Sequence, residues 1–305
     1  LINKYKKSEK HIKPEYLQYK KYTIFFNSNS LLYLLLKDLY RSLRRGLFKD
    51  SNYVISTNSN RQFIDKKPPL EIYSVLLSFI GRLKVLNLKK NYKSYSVKPN
   101  FNFKFVLFCP NVQPEASTLP LANDFVDFRN IIELLEKYIP KHWKIFYKEH
   151  PLTFSLVKEA YLSKNKNYYK NIISDRLILI DYDFDTYKLI NNSEFVVTPT
   201  GSIGIESLAK LKIVLNFGTA WWRNYKNVFN ITDEEKLDNT LQLIIKNKIN
   251  ISELDLQTDV LNTFEKTIDF PHYYIENEKN IELLHFFNSK EGKKLKDKFN
   301  HMISF

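Results

Sequence analysis

Three short polar segments of this 305-residue chain carry the side chains that could do chemistry. The first reads Asn111-Val112-Gln113-Pro114-Glu115-Ala116-Ser117-Thr118, and its Glu115 could serve as base or nucleophile, or hold a sugar hydroxyl. The second reads Lys148-Glu149-His150-Pro151. His150 can donate to a phosphate oxygen, Lys148 adds positive charge, and Pro151 keeps residue 150 out of helical geometry. The third runs Pro199-Thr200-Gly201-Ser202-Ile203-Gly204-Ile205-Glu206 and holds two of the six glycines in the chain. Gly201 lets backbone amides approach a ligand, and the Thr200 and Ser202 hydroxyls beside a helix start make a phosphate cradle. Glu206, one turn further in, is placed to accept hydrogen bonds from ribose hydroxyls.

Each segment alone has a plainer reading: an exposed loop acid, a structural turn, and a helix N-cap at Ser202. The third is no P-loop, because no Gly-Lys-Ser/Thr follows, and it lacks the dinucleotide GxGxxG spacing. Asp181-Tyr182-Asp183 comes nearest to a metal-binding pattern and reads as loop acids, so neither a metal nor a cofactor is expected.

Their meaning depends on the elements that must hold them. Apolar runs of strand length occur at 103–109, 143–147, 177–180, 195–198 and 213–217. Between them fall helical patterns at 125–138, 156–171, 185–190 and 203–210, with further helices at 234–246, 252–266 and 280–299. Strands without polar alternation, each followed by a helix, predict a parallel sheet covered on both faces. In such a sheet ligands bind at the C-terminal strand ends. All three segments fall at such ends.

Residues 1–102 differ in texture: helix-rich, with short strand candidates at 22–26 and 53–56. They hold the whole charge surplus. The first 100 residues contain 21 of the 47 Lys and Arg but only 6 of the 33 Asp and Glu, so their excess exceeds the net +14 of the chain. Residues 31–47 align Leu32, Leu35, Leu36, Leu39 and Leu43 on one face beside Arg41, Arg44 and Arg45. Residues 70–88 repeat the pattern. Such helices face a core first and an anionic membrane surface second. Lys98-Pro99-Asn100 marks a boundary, giving a basic region 1–102, a parallel-sheet α/β domain 103–250 and a helical extension 251–305. The longest apolar stretches are far short of the ~20 residues that span a bilayer. Cys109, the single cysteine, excludes an internal disulfide and fits a buried strand position.

Together the segments resemble the capsule polysaccharide biosynthesis family of GT-B glycosyltransferases. The likeness runs from Gln113-Pro114-Glu115-Ala116-Ser117 through Trp143 and Lys148-Glu149-His150-Pro151. It continues with Thr200-Gly201-Ser202-Ile203-Gly204-Ile205-Glu206-Ser207 and closes with Asn216-Phe217-Gly218 and Trp221. The resemblance implies a GT-B-like α/β fold, with a Rossmann-like C-terminal donor domain and a reduced or incomplete N-terminal one. The first residue is Leu rather than Met, which agrees with a trimmed chain. It implies a CMP-linked acidic sugar such as CMP-Kdo as donor, with His150 and Ser202 at the phosphate and Glu206 near the ribose. In similar Kdo transferases the nucleophile is an Asp before Ala-Ser. Here that position is Glu115, one methylene longer, so a retaining double displacement and an inverting reaction with Glu115 as base both stay open.

The expected partners are therefore a nucleotide-sugar donor, a glycan or lipid-linked acceptor, and the inner face of the cytoplasmic membrane, with no nucleic acid. Two other readings compete. A 2-epimerase or glycerophosphotransferase of similar fold would isomerise free donor or transfer a different group. A non-catalytic basic module would bind DNA with steep salt dependence and ignore nucleotide sugars.

Overall fold

The structure is a computed structural model and describes residues 30–47, 71–115, 118–156, 164–249 and 252–266. The strand candidates at 22–26 and 53–56 and the helix expected at 280–299 lie outside the described residues.

The chain divides into two compact units between Ile251 and Ser252. The first is built on six parallel strands: β1 (Phe105–Phe108), β2 (Lys144–Tyr147), β3 (Leu177–Leu179), β4 (Val196–Thr198), β5 (Val214–Asn216) and β6 (Val228–Asn230), in the order β3-β2-β1-β4-β5-β6. The register pairs Phe108 with Tyr147 on one side of β1 and with Val197 on the other. The sequence winds outward from β1 to β3, then returns to β4 on the opposite side. This is the doubly wound Rossmann order, and its reversal falls between β1 and β4, the place where open sheets of this kind bind ligands at the C-terminal strand ends.

The side-chain period of two sorts each strand between two cores. Val106, Phe108, Ile145, Tyr147 and Leu215 meet helices α2 (Glu71–Tyr95), α3 (Phe128–Tyr138), α4 (Tyr168–Ile172) and α7 (Glu234–Ile245). Phe105, Leu107, Phe146 and Val196 meet α5 (Thr186–Asn192) and Ile203 of α6 (Ile203–Ala209). Phe105 and Phe146 stack at 4.0 Å on that second face.

Helix α2 pairs with α1 (Leu31–Leu47), where Leu34 and Val85 are buried with Leu156 and the buried Arg82 is ion-paired to Asp38. Its other end belongs to the sheet. Leu88 and Tyr92 lie in the first core, and Val97 bridges Ile180. The compact unit therefore runs straight across Lys98-Pro99-Asn100, because an aromatic anchor on α2 outweighs the local break. Among the described residues of 156–171, where a helix is expected, only the start of α4 is helical. There the Asn165 side chain accepts from Asn167 N at 2.9 Å, a local bond that competes with helix formation.

The second unit, Ser252–Phe305, is described through α8 (Glu253–Lys266). No described helix is long and apolar enough to cross a membrane.

Candidate functional site

Four loops gather above the C-terminal strand ends. Those after β1 and β4 are tied together: Asn111 Oδ1 accepts from Thr200 N at 3.1 Å. Asn111 opens the first polar segment, yet nothing in the sequence reading gave it this duty. The loop after β5 joins them, Thr219 N donating to Leu121 O at 3.0 Å.

After β4 the chain turns tightly, Gly201 N donating to Thr198 Oγ1 at 3.2 Å. A Cβ on residue 201 would lie 2.8 Å from that oxygen, so the turn needs glycine. The Thr200 hydroxyl is buried with no hydrogen-bond partner among the described residues. Ser202 is exposed and does not cap α6; its hydroxyl donates to Glu206 Oε1 at 3.3 Å, and Glu206 is buried. Gly204 serves packing. A Cβ there would come within 2.3 Å of the fully buried Trp222 indole.

After β2 the period-two pattern continues for two residues and sends neighbours to opposite faces. Lys148 shares the face of Phe146, and its amide extends the ladder by donating to Phe108 O at 3.0 Å. The residue is only 7% exposed. Among the described residues no hydrogen bond or ion pair reaches its ammonium. Burial pulls its pKa below the ordinary lysine range, opposed by Cys109 and by Asp183, Asp181 and Asp185 at longer range. The Cys109 thiol beside it is pushed up to about 12 by burial, which makes it an inert strand-end side chain.

Glu149 takes the other face, that of Tyr147, and is buried. His150 then caps the turn Pro151–Phe154, its Nδ1 accepting from Leu152 N at 3.1 Å. Pro151 occupies the first position of that turn, where no amide hydrogen is needed. A ring nitrogen that accepts carries no proton, so the neutral imidazole keeps its hydrogen on Nε2 as a donor.

Glu115 follows β1, the strand flanked by β2 and β4. Its carbonyl accepts from Thr118 N at 3.0 Å and Leu119 N at 2.8 Å. Gln113 Nε2 anchors the stretch by donating to Val126 O at 2.7 Å. Ala116 and Ser117 lie outside the described residues. Asp181 and Asp185 serve locally: Asp181 accepts from Asp183 N, and Asp185 caps α5.

The fold and the loop cluster define a doubly wound α/β domain whose polar strand ends converge at the reversal of strand order. Residues 105–263, more than half of the chain, match the capsule polysaccharide biosynthesis protein family, and the chain belongs to it. No curated protein sequence matches the chain. Among solved structures it is similar to the β-Kdo 2,7-transferase KpsC of Thermosulfurimonas dismutans (17% identity, 51% of this chain and 47% of that one, TM-score 0.33). It is similar also to the β-Kdo 2,4-transferase KpsC of the same organism (15% identity, 64% and 56%, TM-score 0.36). A third is the UDP-GlcNAc 2-epimerase of Methanocaldococcus jannaschii (14% identity, 73% and 58%, TM-score 0.38). The chain spans less than two thirds of each.

Proposed function

We propose that this chain binds a nucleotide sugar at the β1/β2/β4 strand ends and transfers the sugar, an acidic one from a CMP-linked donor, onto a bacterial capsule or lipopolysaccharide glycan. The observation that carries the reading is Lys148, a buried lysine whose ammonium makes no hydrogen bond or ion pair among the described residues, two residues from the His150 donor. A buried cation is costly unless something anionic completes it. The donor phosphate would do so, and bond breaking at the sugar leaves more negative charge on that phosphate. Lys148, the Nε2 hydrogen of His150 and the Thr200–Ser202 turn would stabilise it there. Glu115 would act on the sugar side, as nucleophile or base.

A thermal-shift panel with CMP, CDP, UDP and GDP tests the binding half of the proposal, since a ligand that binds only the native state raises its apparent stability. CMP is expected to give the largest shift. His150→Ala should weaken CMP binding by about 1.5–3 kcal/mol, the worth of one charge-assisted hydrogen bond. Unchanged affinity in that variant would remove His150 from the site.

The helix pair α1–α2 supports a location at the inner face of the cytoplasmic membrane. Leu32, Leu36 and Tyr40 on α1, and Leu76, Ile80 and Leu83 on α2, are exposed at helical spacing. They sit within the basic first third of the sequence. Co-sedimentation with vesicles should rise with anionic lipid content and fall with added salt. Equal absence from neutral and anionic vesicles at low salt would assign the basic surface another purpose.

A further inference from the structure

We infer that Glu149 is a positioning residue, whose buried carboxylate fixes the turn carrying His150 and thereby which ring nitrogen of His150 faces the ligand. The inference rests on the reading of His150 as a phosphate donor.

Both Glu149 oxygens face only donors. Oε1 accepts from His150 N at 3.1 Å and from Thr153 Oγ1 at 3.0 Å. Oε2 accepts from Tyr147 Oη at 3.1 Å and Tyr169 Oη at 2.7 Å, with Lys164 Nζ at 3.4 Å. Neither the Glu149 nor the Lys164 side chain is more than 1% exposed. With four donors filling its lone-pair directions, this carboxylate has no capacity left for a substrate proton and no path to one. It is therefore no base or nucleophile, despite standing beside His150 in the sequence.

Its partners show what it does instead. Oε1 grips both ends of the turn, His150 N and the Thr153 hydroxyl, while Thr153 N closes the turn on His150 O at 2.9 Å. That closure places Leu152 N against His150 Nδ1. The Nε2 hydrogen of the neutral ring is thus a consequence of a turn that Glu149 holds from beneath. Helix α2 braces the same point. Tyr92 Oη accepts from Glu149 N at 3.0 Å and donates to Ile180 O at 2.5 Å. Burial first, and then the Glu149 charge, raise the hydroxyl pKa values of Tyr147 and Tyr169, so both phenols stay protonated donors.

Two measurements test this. Histidine ring ¹⁵N spectra, taken where histidines are neutral, report the tautomer, with His150 identified by its loss in His150→Gln. The wild type should show His150 as the single Nε2–H form. Glu149→Gln, and Thr153→Val as a milder variant in case the first does not fold, should show a mixture of tautomers. A double-mutant cycle on CMP affinity gives the second readout. Glu149→Gln should weaken CMP binding about tenfold alone, yet less than about twofold in a His150→Ala background, because the two act as one unit. A folded variant that keeps the pure Nε2–H form, or an equal loss of affinity in both backgrounds, would make Glu149 structural support only and overturn the inference. If the wild type binds no CMP, the nucleotide reading falls and the tautomer alone decides the role of Glu149.

Discussion

Lys148→Met is expected to make the protein more stable and its nucleotide binding much weaker. Methionine is nearly as long as lysine and fills the same space beside Cys109 and Phe146 without a charge to desolvate. The wild-type lysine is 7% exposed, and its ammonium donates no hydrogen bond and joins no ion pair among the described residues. Removing that burdened charge should raise stability by about 1 kcal/mol or more, roughly 2–4 °C in a domain of this size. The pH dependence follows from the direction of the shift. Because burial depresses the Lys148 pKa in the fold, the unfolded chain binds its proton more tightly. The stability of the wild type should therefore climb as pH rises through the depressed pKa toward the ordinary lysine range, and the Met variant should lack that contribution. CMP affinity should fall by one charge-assisted contact, on the order of tenfold to a hundredfold. Thermal melts across alkaline pH with and without CMP read both effects together. A variant that loses stability and still binds CMP would place Lys148 in the scaffold rather than in the site.

The opposite fates of Lys148 and Glu149 mark how far the sequence reading reached. The apolar runs gave away the central strands, because buried parallel strands carry no polar alternation. The polar segments then had to fall at strand ends. Period-two parity also held a signal that the sequence reading left unused: Ile145, Tyr147 and Glu149 share one face, Phe146 and Lys148 the other. What parity cannot supply is the partner. Lys164 and Tyr169, which complete Glu149, come from a later stretch of chain, and Asn111 meets Thr200 across 89 residues. The edge strand β6 escaped for a different reason. It is three half-buried residues long, entered through Asn227 in the left-handed region (φ 66°), and shows no apolar run. Gly204 misleads in the other direction. It sits in a segment that looks like a phosphate loop, yet its lack of a Cβ makes room for Trp222.

Glu115→Gln is the substitution with the largest expected effect on turnover. Its loop leaves the C-terminal end of β1 at the reversal of strand order, where open sheets of this kind bind ligands. Four residues earlier Asn111 clasps the Thr200 turn, and Gln113 pins the loop to Val126, so the backbone that presents Glu115 is held on two sides. The Gln side chain preserves size and hydrogen-bonding reach and removes only the charge. If Glu115 is the nucleophile or essential base, CMP release from CMP-Kdo in the presence of acceptor should fall by at least ~10²-fold. CMP affinity should stay within about twofold, because the lost interaction belongs to the reacting sugar and is made in the transition state. The pattern would be a fall in kcat without a matching rise in the donor Kd. Near-normal turnover would make Glu115 structural and move attention to the remaining carboxylates near the same loop. Glu149 is then excluded by its four donors, and Asp127 by its work as the α3 cap, accepting from Arg129 N and paired with the Arg129 side chain. Asp124, exposed at the start of the Asn123–Val126 turn, would be the next acid to replace.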